Sequence, residues 1–130
     1  MDDAAKYRVD YLRLLFDEAP AACIVTDSAC LVIDANRAAE TMLLQPRSGM
    51  LDKPFQRMIA VSDRQTFEKI AADMLLSVFD TSRPLCMKPH TGAEVDVLFK
   101  ARMVRNMDGD PEFISWVFLE SLASDPRDLL

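Results

Sequence analysis

Histidine and glycine are scarce in this chain of 130 residues, which contains one histidine and three glycines. Imidazole is the side chain most often used for general acid–base catalysis, so a single histidine leaves little material for such chemistry. The few glycines form no glycine-rich phosphate loop, and no nucleophile elbow is present. These scarcities disfavour the commonest enzyme classes. The histidine itself, His90, adjoins Thr91 and Gly92 in a turn sequence and is expected to be exposed and inert.

Cysteines are also few, and their arrangement excludes their commonest structural uses. Cys23, Cys30 and Cys86 are an odd number and lack close pairing or the spacing of metal ligands. A disulfide framework and a zinc site are therefore not expected, and we predict no metal site. We interpret all three as small buried hydrophobic side chains.

Long apolar runs and an excess of positive charge are absent too. No stretch approaches the ~18–20 uninterrupted apolar residues of a membrane span. The chain starts with a net acidic segment where a signal peptide would be basic, so we expect a cytoplasmic protein without a membrane span. Fifteen basic and 21 acidic residues give a net charge of −6, which disfavours direct binding of nucleic acid. The length fits one domain, since domains most often have ~100–150 residues.

The most informative stretch that is present covers residues 23–40. Two short apolar runs, 23–26 and 31–33, flank a turn sequence at Asp27 and Ser28. The runs are too short and too rich in β-branched residues for helices, so they predict a tight β-hairpin. Asn36 follows and belongs to the strongest N-cap residues, so a helix is predicted to begin there.

Helical signals then continue to the middle of the chain. Residues 54–59 are predicted to form a short helical turn. The sequence Ser-x-x-Gln at 62–65 has the form of a capping box, in which two side chains satisfy each other's backbone N–H groups. The longest helix is therefore predicted to start at Asp63, and its apolar spacing continues through Phe79.

The apolar period changes from helical to alternating in the last third of the chain. Residues 85–88, 95–104 and 113–119 read as three strands, joined by hairpin turns at 90–92 and 108–109. With the first hairpin this gives five antiparallel strands interrupted by a helical block. The predicted fold class is α+β.

Several of these segments resemble the PAS domain family, in residues as well as in order. The family commonly has an aspartate at the end of its first strand, here Asp27, and Asn-x-Ala-Ala-Glu at the start of its first helix, here residues 36–40. The segment 51–55 resembles the family's Gly-x-Pro-Phe, and 62–64 resembles the start of its long helix. The resemblance extends over about residues 15–120, nearly the whole chain.

The resemblance implies a five-stranded antiparallel sheet with helices covering one face and an N-terminal flanking helix. On this basis residues 1–18 are expected to be the flanking or dimerisation helix, 19–122 the PAS domain, and 123–130 a tail or linker. Asp27 and Asn36 are expected to be structural. Two departures are visible: Cys30 stands near the usual glycine of the first turn, and Glu-Ser-Leu at 120–122 replaces the closing Asp-Ile-Thr.

A ligand cavity between sheet and helices is a further implication of the resemblance. In the last strand, alternation places Ile114, Trp116, Phe118 and Glu120 on one face, which the family alignment directs into the cavity. Residues that share an apolar character and a predicted inward position are the candidate ligand-binding set: Met42, Phe55, Met58, Phe67, Ile70, Met74, Phe99, Trp116 and Phe118.

The same family resemblance also indicates which cofactors to expect. Trp116 stands where many relatives have a small residue, which weighs against a bulky group. Haem-binding relatives use a histidine on the long helix, and flavin-binding light sensors carry Asn-Cys-Arg-Phe; this chain has neither. The cofactor is unknown, and neither haem nor flavin is expected.

The first helix, at residues 4–16, has more apolar surface than one sheet contact requires. We therefore expect it to pair with a second copy, as flanking helices of PAS domains do, through Tyr7, Tyr11, Leu12, Leu15 and Phe16. The alternative is a helix folded back on its own sheet. The outer sheet face is expected to be covered by this helix or by a partner, and the outward residues of 95–104 are expected to face solvent or to form part of a docking surface.

Three functional hypotheses follow. The first is a sensory module of a signal-transduction protein, such as a two-component system or a transcription regulator, which binds a small apolar ligand and relays the signal to an output domain or partner protein. The second is a ligand-free dimerisation module. The third, a small enzyme, would need a buried acid in the cavity, and only Glu120 is placed to supply it.

Overall fold

The computed structural model describes residues 3–76 and 81–121, which form one five-stranded sheet and a set of short helices. The helices are α1 (Asp3–Glu18), α2 (Arg37–Leu43), α3 (Arg47–Met50) and α4 (Arg64–Leu76), with 3₁₀ turns at Phe55–Met58 and Val61–Asp63. The strands are β1 (Ala22–Asp27), β2 (Val32–Ala35), β3 (Thr81–Met87), β4 (Val95–Arg105) and β5 (Pro111–Glu120).

The strand order in the sheet is β2-β1-β5-β4-β3, and all the pairs are antiparallel. The first and last strands of the chain, β1 and β5, therefore lie side by side, with Ile24 opposite Trp116. The helical block between β2 and β3 packs its apolar side chains on one face of the sheet. The predicted α+β fold with five antiparallel strands and an N-terminal helix is confirmed.

The first hairpin shows why this sequence turns without a glycine. The Asp27 carboxylate accepts the N–H groups of Ala29 and Leu31, both at 2.9 Å. Cys30 has φ +66°, in the left-handed region that favours glycine. Asp52 has φ +64° at the position of the glycine in the family's Gly-x-Pro-Phe. At both places the chain keeps the glycine conformation without the glycine.

The predicted start of the long helix was wrong in detail. The helical turn begins at Val61, so Ala60 precedes it as N-cap and Ser62 lies inside the turn instead of capping it. Regular α-helix begins at Arg64, one residue after the predicted start. The Asp63 carboxylate accepts the backbone N–H of Cys86 at 2.8 Å, which ties this turn to β3. The predicted end of the helix at Phe79 lies outside the described residues.

Strand β3 begins at Thr81, earlier than the predicted Leu85, and ends at Met87. Pro84 lies inside it, opposite Leu98. Because β3 is the edge strand of the sheet, the missing N–H of Pro84 need not break a ladder hydrogen bond with a further strand. Only the strand order makes this position acceptable for proline, so the sequence pattern by itself placed the boundary too late.

Candidate functional site

The interior between the helices and the sheet contains most of the predicted cavity residues. The following are at most 4% exposed: Phe55, Met58, Phe67, Ile70, Met74, Phe99, Trp116 and Phe118. Met42 is the exception, because it is only partly buried and lines a surface pocket beside the end of α1. Met42 also packs against the core from α2, so its role as a ligand-binding residue stays a prediction.

Aromatic rings fill the middle of this interior. The centroid of Trp116 lies 5.2 Å from that of Phe55, 5.1 Å from that of Phe67 and 5.9 Å from that of Phe99. The rings of Phe55 and Phe118 are 6.3 Å apart. These separations are those of aromatic pairs in direct packing contact, ~4.5–7 Å. The rings occupy the space in which a cavity was expected.

Hydrogen bonds hold the central ring in place. The indole N–H of Trp116 donates to Thr26 Oγ1 at 2.9 Å, and Thr26 Oγ1 donates to the carbonyl of Asp27 at 2.9 Å. Both Trp116 and Thr26 are fully buried, so the polar end of the indole is satisfied without water. The pockets described below open on the surface, and none is lined by Phe55, Phe67 or Trp116.

Glu120 does not share this interior. Alternation predicted it on the same face as Trp116, but its side chain is exposed and lines the surface pocket beside Asp17 and Arg37. Glu120 is the last residue of β5, and residues of α1 and α2 line the same pocket. The acid that an enzyme would need in the interior is therefore not supplied by this residue.

The outer face of the sheet is open to solvent. Leu98 of β4 and Leu119 of β5 lie opposite each other, and Leu119 is 55% exposed. Together with Lys100, Arg102 and Val117 they line a shallow pocket of about 450 Å³. The outward residues of β4 face solvent as predicted. Of the two expected covers for this face, the protein's own first helix does not lie over it, and cover by a partner stays a prediction.

Helix α1 has no buried residue, and its ion pairs with the rest of the domain come from Arg13 and Glu18 in its C-terminal half. Tyr7 is 71% exposed and Leu12 is 64% exposed, and Tyr11 and Leu15 are also exposed. Phe16, the last of the predicted dimerisation residues, is partly buried beneath the guanidinium of Arg13, 5.5 Å from its ring centre. Most of the apolar surface of α1 therefore has no cover within the described chain.

Ion pairs attach α1 to the rest of the domain. Arg13 contacts both Asp17 of its own helix and Asp34 of β2, and Arg47 at the start of α3 reaches Asp34 at 3.2 Å. All these side chains are partly exposed, and exposed ion pairs contribute about 0–1 kcal/mol each. The position of α1 thus depends on a few weak contacts. Sequence reasoning missed Asp34, because its partners lie far from it along the chain.

The cysteines differ from their predicted state, since all three are only partly buried. Cys23 and Cys86 alternate with buried neighbours in β1 and β3 and so lie on the open face of the sheet. Burial raises the pKa of each thiol, and for Cys30 burial and then the charge of Asp27 raise the pKa to about 11. At neutral pH these thiols are therefore protonated, which makes them weak nucleophiles and poor metal ligands.

This environment predicts slow alkylation of Cys30. In a variant with Cys23→Ser and Cys86→Ser, the iodoacetamide reaction of Cys30 should reach half its maximal rate at about pH 11 instead of 9.0. Two pKa units lower the thiolate fraction about 100-fold at neutral pH. The same variant in urea is the reference for the unperturbed thiol. A folded protein that alkylates with a midpoint near the urea value would contradict the prediction.

The described residues contain no group of three or more histidine, cysteine or acidic side chains arranged to hold a metal ion. No helix in the described part of the chain combines the length and the apolarity that crossing a bilayer requires. His90 is exposed, as predicted for a turn residue.

Comparison with known proteins gives one family and many similar structures. A family model described as "PAS fold" matches residues 16–122. The PAS domain of an HTR-like protein from Haloarcula marismortui is 13% identical, with a TM-score of 0.78, and the match covers 91% of this chain and 95% of that one. None of the curated proteins matches the sequence.

Two further solved structures show the range of similar proteins. The LOV protein of Rhodobacter sphaeroides is 16% identical, with a TM-score of 0.77 and coverage of 97% of this chain and 72% of that one. A domain of a sensory box sensor histidine kinase/response regulator from Geobacter sulfurreducens is 15% identical, with a TM-score of 0.70 and coverage of 88% and 96%. At these identities the likeness shows a shared fold.

Proposed function

The chain belongs to the PAS fold family, and on that premise we propose that it is a signalling module that works as a homodimer through α1 and the outer face of its sheet. The observation that carries this proposal is the exposure of the apolar residues of α1. A surface helix of a globular domain normally turns its apolar stripe toward a core. Here the two neighbouring apolar stripes, with Tyr7 on one and Leu12 on the other, have no such core within the described residues, so a second copy is the simplest cover.

The exposed surface is of the size and kind that a dimer uses. Helix α1 has 16 residues and is about 24 Å long at 1.5 Å per residue. Tyr7 and Tyr11 stack with their ring centres 6.4 Å apart, and tyrosine is enriched at protein interfaces. The outer sheet face adds Leu98, Val104 and Leu119 as exposed apolar side chains.

The filled interior supports the ligand-free hypothesis over binding of an apolar molecule. Trp116 and its neighbouring rings leave a ligand no place unless they move. The same packing supports the expectation that neither haem nor flavin binds there, because either ring system would need the volume that these side chains occupy. Since Glu120 is exposed, we do not propose a catalytic function.

The signal would pass between α1 and the sheet. Asp34 of β2 contacts Arg13 of α1 and Arg47 of α3. A change in the pairing of two α1 helices would therefore alter these ion pairs and so the surroundings of β2. A helix held by weak ion pairs can move at low cost, which is what a two-state relay requires. The receiver would be an output domain or a partner protein of a signalling pathway.

The test is the solution mass of the chain. Light scattering should give twice the 14.6 kDa of one chain at high micromolar concentration. Replacing Tyr7 and Leu12 together by glutamate should raise the dissociation constant about 100-fold or more, because two central apolar side chains would become charged. Both residues are exposed, so circular dichroism should show an unchanged fold.

A matched variant separates apolar contact from charge. Lys6→Gln with Arg8→Gln makes the same change of two charge units on the same helix and keeps its apolar residues. We expect this variant to remain dimeric. A wild-type chain of 14.6 kDa at every concentration would contradict the proposal, as would equal weakening in the two double variants.

A further inference from the structure

A basic pocket opens on the described surface, away from α1 and from the outer sheet face. It has a volume of about 320 Å³ and lies between α3, the 3₁₀ turn at Phe55–Met58, the start of α4 and the residues after β3. Its polar lining consists of Gln45, Lys53, Arg57, Arg64, Lys88 and His90. No aspartate or glutamate lines it. In a chain of net charge −6, this concentration of cations is an exception.

The cations of this pocket are not neutralised within the described chain. No ion pair joins Lys53, Arg57 or Lys88 to a carboxylate of the described residues. Arg64 uses its Nε to donate to the carbonyl of Ile59 at 3.2 Å, so its hydrogen bond also brings no negative charge. Like charges that share one pocket repel each other, and a bound anion removes that repulsion.

The acidic residues next in sequence do not fill this role. Asp63, the neighbour of Arg64, accepts the backbone N–H of Cys86 and lines a different pocket. Asp52, the neighbour of Lys53, is exposed and does not line the basic pocket. Neither carboxylate therefore lines the pocket or forms an ion pair with its cations.

Backbone hydrogen bonds hold the walls of the pocket in position. Lys88 N–H donates to the carbonyl of Met58 at 2.8 Å, and His90 N–H donates to the carbonyl of Leu43 at 2.9 Å. The carbonyl of Lys53 accepts the N–H of Val32 at 2.9 Å. Segments far apart in the sequence thus bring their cations together on a backbone that is already fixed, which lowers the ordering cost of binding.

We propose that this pocket binds a small anion with more than one negative charge, carrying phosphate groups or several carboxylates. The volume is that of a site for a small molecule, since ligand pockets have ~300–1,000 Å³. Two arginines can each give paired N–H donors to a phosphate or a carboxylate, and the lysines add point charges. The site is separate from the ring-filled interior, so it would give the module a ligand without requiring Trp116 to move.

Calorimetric titration with pyrophosphate and with citrate, at constant ionic strength, tests the proposal. We expect saturable binding of at least one probe. Arg57→Gln with Lys88→Gln should weaken it about 100-fold, because each lost charge-assisted contact costs about tenfold. Both side chains are exposed, so the variant should fold. If only pyrophosphate binds, the natural ligand is expected to carry phosphate groups. If only citrate binds, it is expected to carry several carboxylates.

The matched control is Lys6→Gln with Lys69→Gln, which changes the net charge equally at exposed positions outside the pocket. It should bind the probe as the wild type does. Equal loss in the two double variants would mean attraction by net charge alone and would overturn the proposal, as would no saturable binding of either probe. In the wild type, amide NMR shifts must centre on Lys53, Arg57 and Lys88, and shifts elsewhere would also overturn it.

The outcome is independent of the dimer. The pocket contains no residue of α1 and none of the outer sheet face, so the Arg57→Gln and Lys88→Gln variant should keep the solution mass of the wild type. If this variant loses anion binding and keeps the wild-type mass, the result supports the pocket and leaves the dimer proposal unaffected. If the wild type is a monomer but binds pyrophosphate, the dimer proposal fails and the pocket proposal stands.

Discussion

Replacing Trp116 by alanine should lower the free energy of unfolding by about 4 kcal/mol, the cost of a large aromatic side chain lost from a packed core. Trp116 is fully buried and packs against Phe55, Phe67 and Phe99. Its removal takes away the ring contacts and leaves a space that these neighbours cannot close completely. Urea denaturation followed by circular dichroism measures the loss.

Two variants control this result. Phe113→Ala removes an aromatic ring from the same strand at a position that is 36% exposed, and it should cost about 1 kcal/mol. Trp116→Phe keeps most of the ring contacts, loses the indole donor to Thr26, and should cost about 1–2 kcal/mol. If Trp116→Ala cost no more than Phe113→Ala, the indole would not fill the core as described.

The space left by Trp116→Ala should also accept an apolar ligand. Cavities lined by apolar side chains stay dry and bind small apolar molecules. Indole should therefore raise the melting temperature of Trp116→Ala and leave that of the wild type unchanged. An equal effect of indole on both proteins would argue for a ligand cavity beside Trp116 in the wild type, and it would revive the hypothesis of an apolar ligand.

Replacing Asn36 by alanine should cost about 3 kcal/mol, far more than loss of an ordinary helix cap. Its Oδ1 accepts the N–H of Ala39 at 3.0 Å, which caps α2, and also the N–H of Cys23 at 2.9 Å. Its Nδ2 donates to the carbonyl of Ala21 at 2.9 Å. Asn36 is fully buried, so alanine would leave backbone groups around it without a partner.

Asn106→Ala is the matched control for this measurement. The Oδ1 of Asn106 also accepts two backbone N–H groups, those of Asp108 and Asp110, but in an exposed turn. Water can replace these bonds, so the cost should be within about 1 kcal/mol. Equal costs for the two asparagine variants would mean that the buried contacts of Asn36 contribute nothing beyond a surface cap.

Trp116 and Asn36 both stabilise the domain through contacts with β1. Trp116 of β5 reaches Thr26 of β1 through its indole, and Asn36 joins the start of α2 to the backbone at Cys23. A module stabilised in this way can expose α1 and its outer sheet face without risk to the fold. That separation of stability from contact surface is what the proposed homodimer requires.

Much of the fold could be predicted because its signals are local. The alternation of β4 and β5, the turn at Asp27 and the N-cap at Asn36 depend on residues a few positions apart, and these predicted the strands and the start of α2. The predictions that failed depended on neighbours from other segments. Cys23 and Cys86 are half-buried because of the face on which β1 and β3 place them, and Glu120, at the end of β5, lies at a surface pocket and not in the ring-filled interior.

The sequence by itself determined the order of helices and strands and the apolar interior, because these follow from patterns among neighbouring residues. It also determined the excess of acidic residues, which is a matter of composition. Only the tertiary structure decided that the rings of Phe55, Phe67 and Phe99 pack around Trp116. It alone also decided that Asp34 links α1 to α3 and that Lys53, Arg57 and Lys88 share one pocket. These features join residues far apart in the chain. Their proximity depends on the path of the backbone, which no local pattern contains.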